Sequence, residues 1–325
     1  MTEQQQGPFS LQVEATEGCN LRCGFCGIRG IRAAGTRGDL SGPYHYMTEG
    51  TAHALALGIA QAGWNPRIEF AMHGEPTMHP DLPRLVRIMR AHLPGRPIMV
   101  TTNGLPLLDA WPLSVYELFG AGADTVAVDD YRPHKARAAV LATRLPTVTV
   151  HEYPPDPAGN PHRRPRRGEH RLVLVADISQ TAEGTHAHLS NHAGAAGPLD
   201  HSRDGERCAL PFREMSVRWD GNVALCCNDW RGQFKVGNVN TTPVGELWQH
   251  EAFRAARRTL LAEGRTYAPC AGCTHRTYRN GLLPDKYGKQ TLPQPGPGDR
   301  AAIDAALAGD PYARPVLRTW EVTKP

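Results

Sequence analysis

The sequence predicts an α/β protein whose larger part is an open, partial (β/α)6 barrel. Short runs rich in β-branched residues alternate with helical stretches from residue 9 to about residue 178. Between residues 179 and 207 the composition turns to His, Gly, Ala and Ser without periodicity, and after residue 208 the pattern changes to a β-hairpin followed by a helix. Repeated strand-then-helix units predict a parallel sheet with helices outside it.

Each element of the barrel is predicted from its own pattern of apolar residues. The predicted strands are residues 9–16, 67–72, 97–102, 124–129, 147–151 and 171–178. The predicted helices are residues 48–62, 81–92, 107–120 and 133–143. Ligands of such sheets bind at the carboxyl ends of the strands, so we expect the functional residues there.

A second, smaller unit is predicted after the barrel. Val217 and Trp219 alternate on one side of the Asp220-Gly221 turn, and Val223 and Leu225 on the other, which predicts a hairpin. An amphipathic helix is predicted over 242–263 and a short one near 300–307. We therefore expect a barrel over 1–180, a linker over 181–207, the small domain over 208–280 and a tail over 281–325.

Composition and the lack of a signal or membrane segment favour a cytoplasmic protein. The 325 residues carry a formal charge of only +4. No apolar run reaches the roughly 18 residues of a membrane span, and the first eighteen residues show no signal pattern. The basic stretch 162–171 lacks the interleaved aromatics of a single-strand binding surface, which predicts a solvated loop. We expect no membrane or nucleic-acid partner, and a monomer.

Three of the eight cysteines lie within eight positions, directly after the first predicted strand. Cys19, Cys23 and Cys26 form the pattern C-x3-C-x2-C. Three thiolates are one short of a closed tetrahedral site, so a metal group held by them keeps an open coordination position. An open position is where chemistry takes place.

This pattern, with Phe25 before its last cysteine, resembles the signature of the radical SAM superfamily. The resemblance implies a 4Fe-4S cluster on the three thiolates, chelated at its fourth iron by S-adenosylmethionine (SAM), which yields a 5'-deoxyadenosyl radical. Two later segments resemble SAM-contacting segments of the family: M-H-G-E-P over 72–76 and T-T-N-G over 101–104. The SAM contacts that the resemblance implies are Phe25, Gly74, Glu75, Pro76, Thr102 and Asn103.

Four further cysteines resemble the twitch domain, a shortened relative of the SPASM extension. Cys208, Cys226, Cys270 and Cys273 form C-x17-C, a long gap and then C-x2-C. The resemblance implies that they ligate one auxiliary 4Fe-4S cluster. A structural zinc ion uses the same spacings and stays open as an alternative.

Cys227 is the cysteine that neither cluster requires. Adjacent side chains of a strand point to opposite faces, so Cys227 faces away from the cluster if Cys226 binds it. It is either a small buried apolar residue or a hydrogen-atom donor. Asp129, Asp130 and Asp229 are candidate acids for a carbinol proton or a substrate ammonium group, or else ordinary strand-end and turn residues. The histidines at 186, 188, 192 and 201 are expected to be loop residues.

The resemblance implies an enzyme that acts on carbinol centres of aminocyclitols or aminoglycosides. Return of hydrogen from Cys227 to the opposite face makes it an epimerase, which is the outcome we predict. Loss of a proton and of an electron to the auxiliary cluster instead gives a dehydrogenase. Modification of a ribosomally made peptide and a zinc-binding module without catalysis are further alternatives. A flavodoxin- or ferredoxin-type protein is the expected reductant.

Overall fold

The computed structural model describes residues 7–28, 44–130, 135–153, 157–175, 190–275 and 296–308. Its strands run in chain order as follows: β1 Ser10–Val13, β2 Thr16–Glu17, β3 His45–Tyr46, β4 Arg67–Phe70, β5 Ile98–Thr102, β6 Thr125–Asp129, β7 Val148–Tyr153, β8 His170–Val175, β9 Glu214–Val217 and β10 Val223–Ala224. The six predicted barrel strands therefore exist, mostly one or two residues shorter than predicted.

Eight of these strands form one mostly parallel sheet. Its order is β10-β9-β1-β4-β5-β6-β8-β7, and only the β9–β10 pair is antiparallel. Strand β8 lies between β6 and β7, so the last two barrel strands are not in chain order. The predicted hairpin exists as β9 and β10, and β9 pairs in parallel with β1. The hairpin thus extends the barrel sheet.

The helices are α1 Glu49–Gln61, α2 Leu82–His92, α3 Leu113–Ala121, α4 Lys135–Ala142, α5 Leu210–Arg213, α6 Val244–Trp248, α7 Glu251–Ala262 and α8 Pro297–Leu307. Two of the predicted helices are each divided into two. Residues 107–120 divide into a short 3-10 helix, Pro106–Ala110, and α3, because Pro112 cannot continue a helix. Residues 242–263 divide at His250, whose side chain caps α7. Within the described ranges, every helix is too short or too polar to span a membrane.

Strand β1 separates an apolar face from a polar one. Leu11 and Val13 are fully buried among residues of the main core, which includes Leu55, Ile68 and Phe70. The alternate side chains, Gln12 and then Glu14, point to the opposite face. Gln12 donates to Glu69 of the neighbouring strand at 2.9 Å. The sheet therefore has a polar face on which charged groups are buried.

The described end of the predicted linker packs against the small unit. Asn191 accepts a hydrogen bond from the Thr274 amide at 3.0 Å, and its side-chain amide donates to Gly272 O at 2.7 Å. The Asp204 carboxylate accepts from the Gly272 amide at 2.7 Å. Residues 190–207 therefore cover the segment that carries Cys270 and Cys273.

The basic stretch 162–171 is organised by one buried arginine. Arg171 is 0% exposed, and its guanidinium donates to the carbonyls of Ala158, Asn160 and Arg163 at 2.8, 3.0 and 3.2 Å. Arg167, in contrast, is exposed. The stretch thus combines exposed loop residues with a buried arginine at the start of β8, and the return of the loop to β8 depends on Arg171.

We expect Arg171→Met to lower the free energy of unfolding by about 3 kcal/mol, because three buried carbonyls lose their donor. Anaerobic denaturant unfolding measures this change. Arg167→Met removes an exposed charge from the same loop and serves as the control, with a change within about 0.5 kcal/mol. Equal effects of the two substitutions would contradict this account of the loop.

Candidate active site

The three-cysteine loop is attached to the M-H-G-E-P segment by backbone contacts. Gly18 and Gly74 form an isolated parallel bridge, and the Glu75 amide donates to Gly18 O at 2.9 Å. A Cβ atom on Gly74 would lie 2.2 Å from Thr16 O and 2.5 Å from Gly18 O. Only glycine permits this approach. The bridge therefore fixes Cys19 against the loop that follows β4.

Glu75 joins the loops that follow β4 and β5. Its Oε1 accepts from the Thr77 and Thr102 hydroxyls, each at 2.6 Å, and from the Thr77 amide at 3.0 Å. Its Oε2 accepts from the Asn103 amide at 2.8 Å. Four donors satisfy the carboxylate, although burial raises its pKa. Glu75 thus holds the two segments together, and a direct contact of the acid with SAM stays a prediction.

Asn103 connects the β5 loop to the three-cysteine loop. Its amide group donates to Asn20 Oδ1 at 2.8 Å and lies 3.7 Å from Cys19 Sγ. Burial, followed by the charge of Glu75, raises the pKa of Cys19 to about 12. A metal group that binds here must therefore displace the thiol proton. The structure brings Cys19, Glu75, Thr102 and Asn103 together, as the sequence predicted.

The end of the three-cysteine loop packs on the second unit. A Cβ atom on Gly27 would lie 2.5 Å from the ring of Trp230. Trp230 forms a small apolar cluster with Ile28 and Ala195, and Cys26 packs against this cluster. The position of the loop therefore depends on a residue of the hairpin unit.

Four cysteines of the second unit line one cavity. They are Cys208, Cys226, Cys270 and Cys273, each 7% exposed. In the described ranges no three His, Cys, Asp or Glu side chains converge closely enough for a single metal ion. The lining contains no carboxylate. Four thiols around one cavity fit a multinuclear cluster, whose ligands stand farther apart than those of one zinc ion.

Cys227 faces away from this cavity. It is half-buried, although residues 223–226 and 228–230 are all buried. Its amide donates to Glu214 Oε1 at 2.9 Å. Burial and then the neighbouring Glu214 carboxyl hold the pKa of the Cys227 thiol well above its ordinary value, with a further contribution from Glu69. The thiol is therefore protonated and adjoins acids of the polar sheet face.

His73 joins the M-H-G-E-P segment to the backbone of Cys227. Its Nδ1 lies 2.8 Å from Glu14 Oε1, and its Nε2 lies 3.0 Å from Cys227 O. Both partners are hydrogen-bond acceptors, one a carboxylate and the other a backbone carbonyl. His73 therefore links Glu14 to the backbone of the hairpin unit.

Arg218 completes the buried group of charges. Its guanidinium donates to Glu17 at 2.7 Å and lies 3.7 Å from Glu14. Burial alone would raise the pKa of Glu14, but Arg218 and then His73 lower this pKa to about 2. Arg218 thus pairs with both carboxylates on the polar face of the sheet.

The other candidate acids and histidines have structural partners. Asp130 Oδ2 accepts from the Arg137 amide at 2.8 Å, near the start of α4. Asp229 accepts from the amides of Gln233 and Phe234 at 2.8 and 3.0 Å. His192 Nδ1 lies 3.0 Å from Asn228 Oδ1, and His201 lies 2.7 Å from Asp204. Asp129 ends β6, while positions 186 and 188 lie outside the described residues.

Comparison with known proteins supports the two cluster sites. Residues 13–129 match the radical SAM superfamily, and residues 208–274 match the SPASM iron-sulfur cluster-binding domain. The chain belongs to the radical SAM superfamily. A radical SAM domain binds a 4Fe-4S cluster together with SAM, and the SPASM domain with its buried cysteines binds an auxiliary cluster. The auxiliary group is therefore iron-sulfur rather than zinc.

Individual relatives of this radical SAM protein are distant. The S-adenosyl-L-methionine-dependent 2-deoxy-scyllo-inosamine dehydrogenase of Niallia circulans is 21% identical over 257 residues, which cover 78% of this chain and 87% of the relative. A probable GTP 3',8-cyclase of Thermoplasma volcanium is 31% identical over 121 residues, 37% of this chain and 32% of the cyclase. The crystal structure of BtrN in complex with AdoMet and 2-DOIA has the same fold. Its TM-score is 0.61 at 19% identity, over 83% of this chain and 94% of that one.

Sequence reasoning assigned no role to several residues that organise the site of this radical SAM protein. They are Glu14, His73, Glu214, Arg218, Trp230 and Arg265. The sequence contains a signal for Glu14, because polar residues alternate with Leu11, Val13 and Ala15 along β1 and the two residues that follow it. His73 stands inside the M-H-G-E-P segment itself. Its two partners are 59 and 154 positions away in sequence, so only the fold reveals its role.

We expect Gly74→Ala to lower iron after anaerobic reconstitution from about eight to about four atoms per chain. The added methyl group displaces the loop that carries Cys19, whereas the auxiliary site is untouched. The Cys19/Cys23/Cys26→Ala variant sets the reference of about four. Gly120→Ala is the matched control, since nothing lies within 4 Å of its Cβ position. Iron near eight in Gly74→Ala, with wild-type SAM binding, would contradict the role given to this bridge.

Proposed function

We propose that this radical SAM enzyme inverts a carbinol centre of an aminocyclitol or aminoglycoside, with Cys227 as the hydrogen-atom donor. Cys19, Cys23 and Cys26 hold the catalytic cluster, and Cys208, Cys226, Cys270 and Cys273 hold the auxiliary one. When bound, the catalytic cluster and SAM supply the 5'-deoxyadenosyl radical that removes a hydrogen atom from the substrate. Phe25, Gly74, Glu75, Pro76, Thr102 and Asn103 shape the SAM site.

The observation that carries the proposal is the environment of Cys227. A hydrogen-atom donor must keep its S–H bond, and the raised pKa keeps this thiol protonated. A donor must also approach from one fixed face. The backbone of Cys227 is held on both sides, by Glu214 at its amide and by His73 at its carbonyl. The whole residue is half-buried, whereas its neighbours in sequence are buried, and it adjoins Glu214 on the polar sheet face.

Hydrogen-atom transfer changes both Cys227 and the substrate radical. The S–H bond of Cys227 breaks, and a C–H bond forms on the opposite face of the substrate radical. The sulfur that remains needs one electron and one proton to become a thiol again. A flavodoxin- or ferredoxin-type protein is the proposed source of the electron. The Glu214 carboxyl adjoins the sulfur, and burial raises its pKa to about 7, so it holds an exchangeable proton near neutral pH.

The substrate class is supported by the relative whose printed name is a 2-deoxy-scyllo-inosamine dehydrogenase. An aminocyclitol carries hydroxyl-bearing carbons and an ammonium group. Carboxyl oxygens of Glu69 and Glu214 lie near Cys227 on the polar sheet face, and Glu69 also pairs with Arg67. Hydroxyl and ammonium groups of the substrate are matched by such a surface.

A dehydrogenase is the second candidate, and the name of the same relative favours it. In that reaction the substrate radical loses its hydroxyl proton and one electron to give a ketone. No hydrogen returns to carbon, so Cys227 has no role. The two candidates therefore differ in product and in their requirement for one thiol.

We expect Cys227→Ala to keep its iron and to form 5'-deoxyadenosine, but to lose inversion by a factor on the order of a hundred or more, because no donor reaches the radical. Inverted product, ketone and 5'-deoxyadenosine are measured by mass spectrometry and NMR with candidate aminocyclitols. Cys227→Ser keeps the size of the side chain and removes the weak S–H bond, so it must lose inversion equally.

Inversion at the wild-type rate in Cys227→Ala would refute the donor. A ketone as the main product of both wild-type enzyme and variant would establish the dehydrogenase instead. Turnover of a precursor peptide, with none of the free cyclitols, would assign the enzyme to peptide modification.

A further inference from the structure

Arg265 is a buried cation on the wall of the four-cysteine cavity. It is 1% exposed and lies between the end of α7 and Cys270. Its guanidinium donates to Cys273 O, and to His275 O at 2.9 Å. Its Nε is buried with no hydrogen-bond partner. Among the described residues no carboxylate forms an ion pair with it, unlike Arg218, which pairs with Glu14 and Glu17.

A buried guanidinium without a counter-ion is unfavourable, because neutral carbonyls do not balance its charge. The cavity beside it is lined by thiols that become thiolates when they bind iron. A 4Fe-4S cluster with four thiolates carries net negative charge in both of its common oxidation states. The group that the cavity is built to hold is therefore the missing counter-ion.

Arg265 and the four cysteines line the same cavity. His275 also lines this cavity, and its backbone carbonyl accepts a hydrogen bond from the Arg265 guanidinium at 2.9 Å. Arg265 is the one arginine or lysine among the described lining residues.

We propose that Arg265 is the counter-ion of the auxiliary cluster and raises its reduction potential. Reduction adds one negative charge to the cluster, and a nearby buried cation stabilises the more negative state. The oxidised cluster is therefore a stronger electron acceptor, and the reduced cluster a weaker donor, than the same cluster without Arg265. This effect on the reduction potential is the same whether the enzyme is an epimerase or a dehydrogenase.

The test uses the full chain with Cys19, Cys23 and Cys26 replaced by Ala, so that only the auxiliary cluster forms. Anaerobic potentiometric titration, followed by EPR of the reduced cluster, gives its midpoint potential. We expect Arg265→Gln to lower the ratio of reduced to oxidised cluster at a fixed potential at least tenfold, which is about 59 mV for one electron. Arg265→Lys keeps the charge and should stay near the parent value.

Arg254→Gln is the matched control, because this arginine lies on α7 with an exposed side chain. Its removal should leave the potential unchanged. An unchanged potential in Arg265→Gln, or equal falls in the Gln and Lys variants, would overturn the proposal. Failure of Arg265→Gln to retain four irons, with full retention in Arg265→Lys, would support the counter-ion role. Loss of iron from both the Gln and the Lys variants would overturn the proposal. The site would then require the shape of the guanidinium group, because the lysine variant keeps the positive charge.

Discussion

The buried ion network of Glu14, Glu17, His73 and Arg218 is the constraint on which the rest of the site depends. Its members come from the residues that follow β1, from the loop after β4 and from the turn of the hairpin. A buried charge that loses its partner costs several kcal/mol, so these elements cannot separate without a large penalty. The ion pairs of Arg218 with Glu14 and Glu17 join the hairpin turn to the residues after β1 in the register that the structure shows.

That register determines what each cysteine of the Cys226-Cys227 pair faces. Cys226 lines the cavity with the other three cysteines, while Cys227 adjoins the polar sheet face. His73 lies within hydrogen-bond distance of the Cys227 carbonyl, and the centroid of its ring lies 4.6 Å from that of Trp230, the ring on which Gly27 packs. One histidine therefore connects the M-H-G-E-P segment, the end of the three-cysteine loop and the backbone of Cys227.

The sequence predicts the strands, the helices and the cysteine clusters, because these follow from local periodicity and spacing. It does not predict the two helix interruptions at Pro112 and at His250, where a proline or a capping side chain divides an otherwise continuous pattern. It also does not predict that β8 lies between β6 and β7, which depends on tertiary packing. The buried network and Arg265 require contacts between residues far apart in sequence, and periodicity carries no information about them.

Glu75 illustrates the difference between a motif and its geometry. The motif predicts an acid beside the SAM site, and the structure places the Glu75 carboxylate between the loops that follow β4 and β5. Three donors from Thr77 and Thr102 reach its Oε1, whereas its Oε2 accepts from the Asn103 amide. The carboxylate therefore joins two loops, a role that the sequence pattern does not reveal. Cys227, in contrast, is singled out by its position beside Cys226 in the sequence, and the structure adds Glu214 and His73 as the groups that hold its backbone.

The most direct measurement of the central claim is the isotope at the inverted carbon after turnover in deuterated water. The thiol of Cys227 exchanges its proton with solvent, whereas hydrogens bonded to carbon do not. The account predicts one deuterium in the product, located at the inverted centre and absent from the remaining substrate. An inverted product without solvent deuterium would contradict a thiol donor, whichever cysteine were proposed.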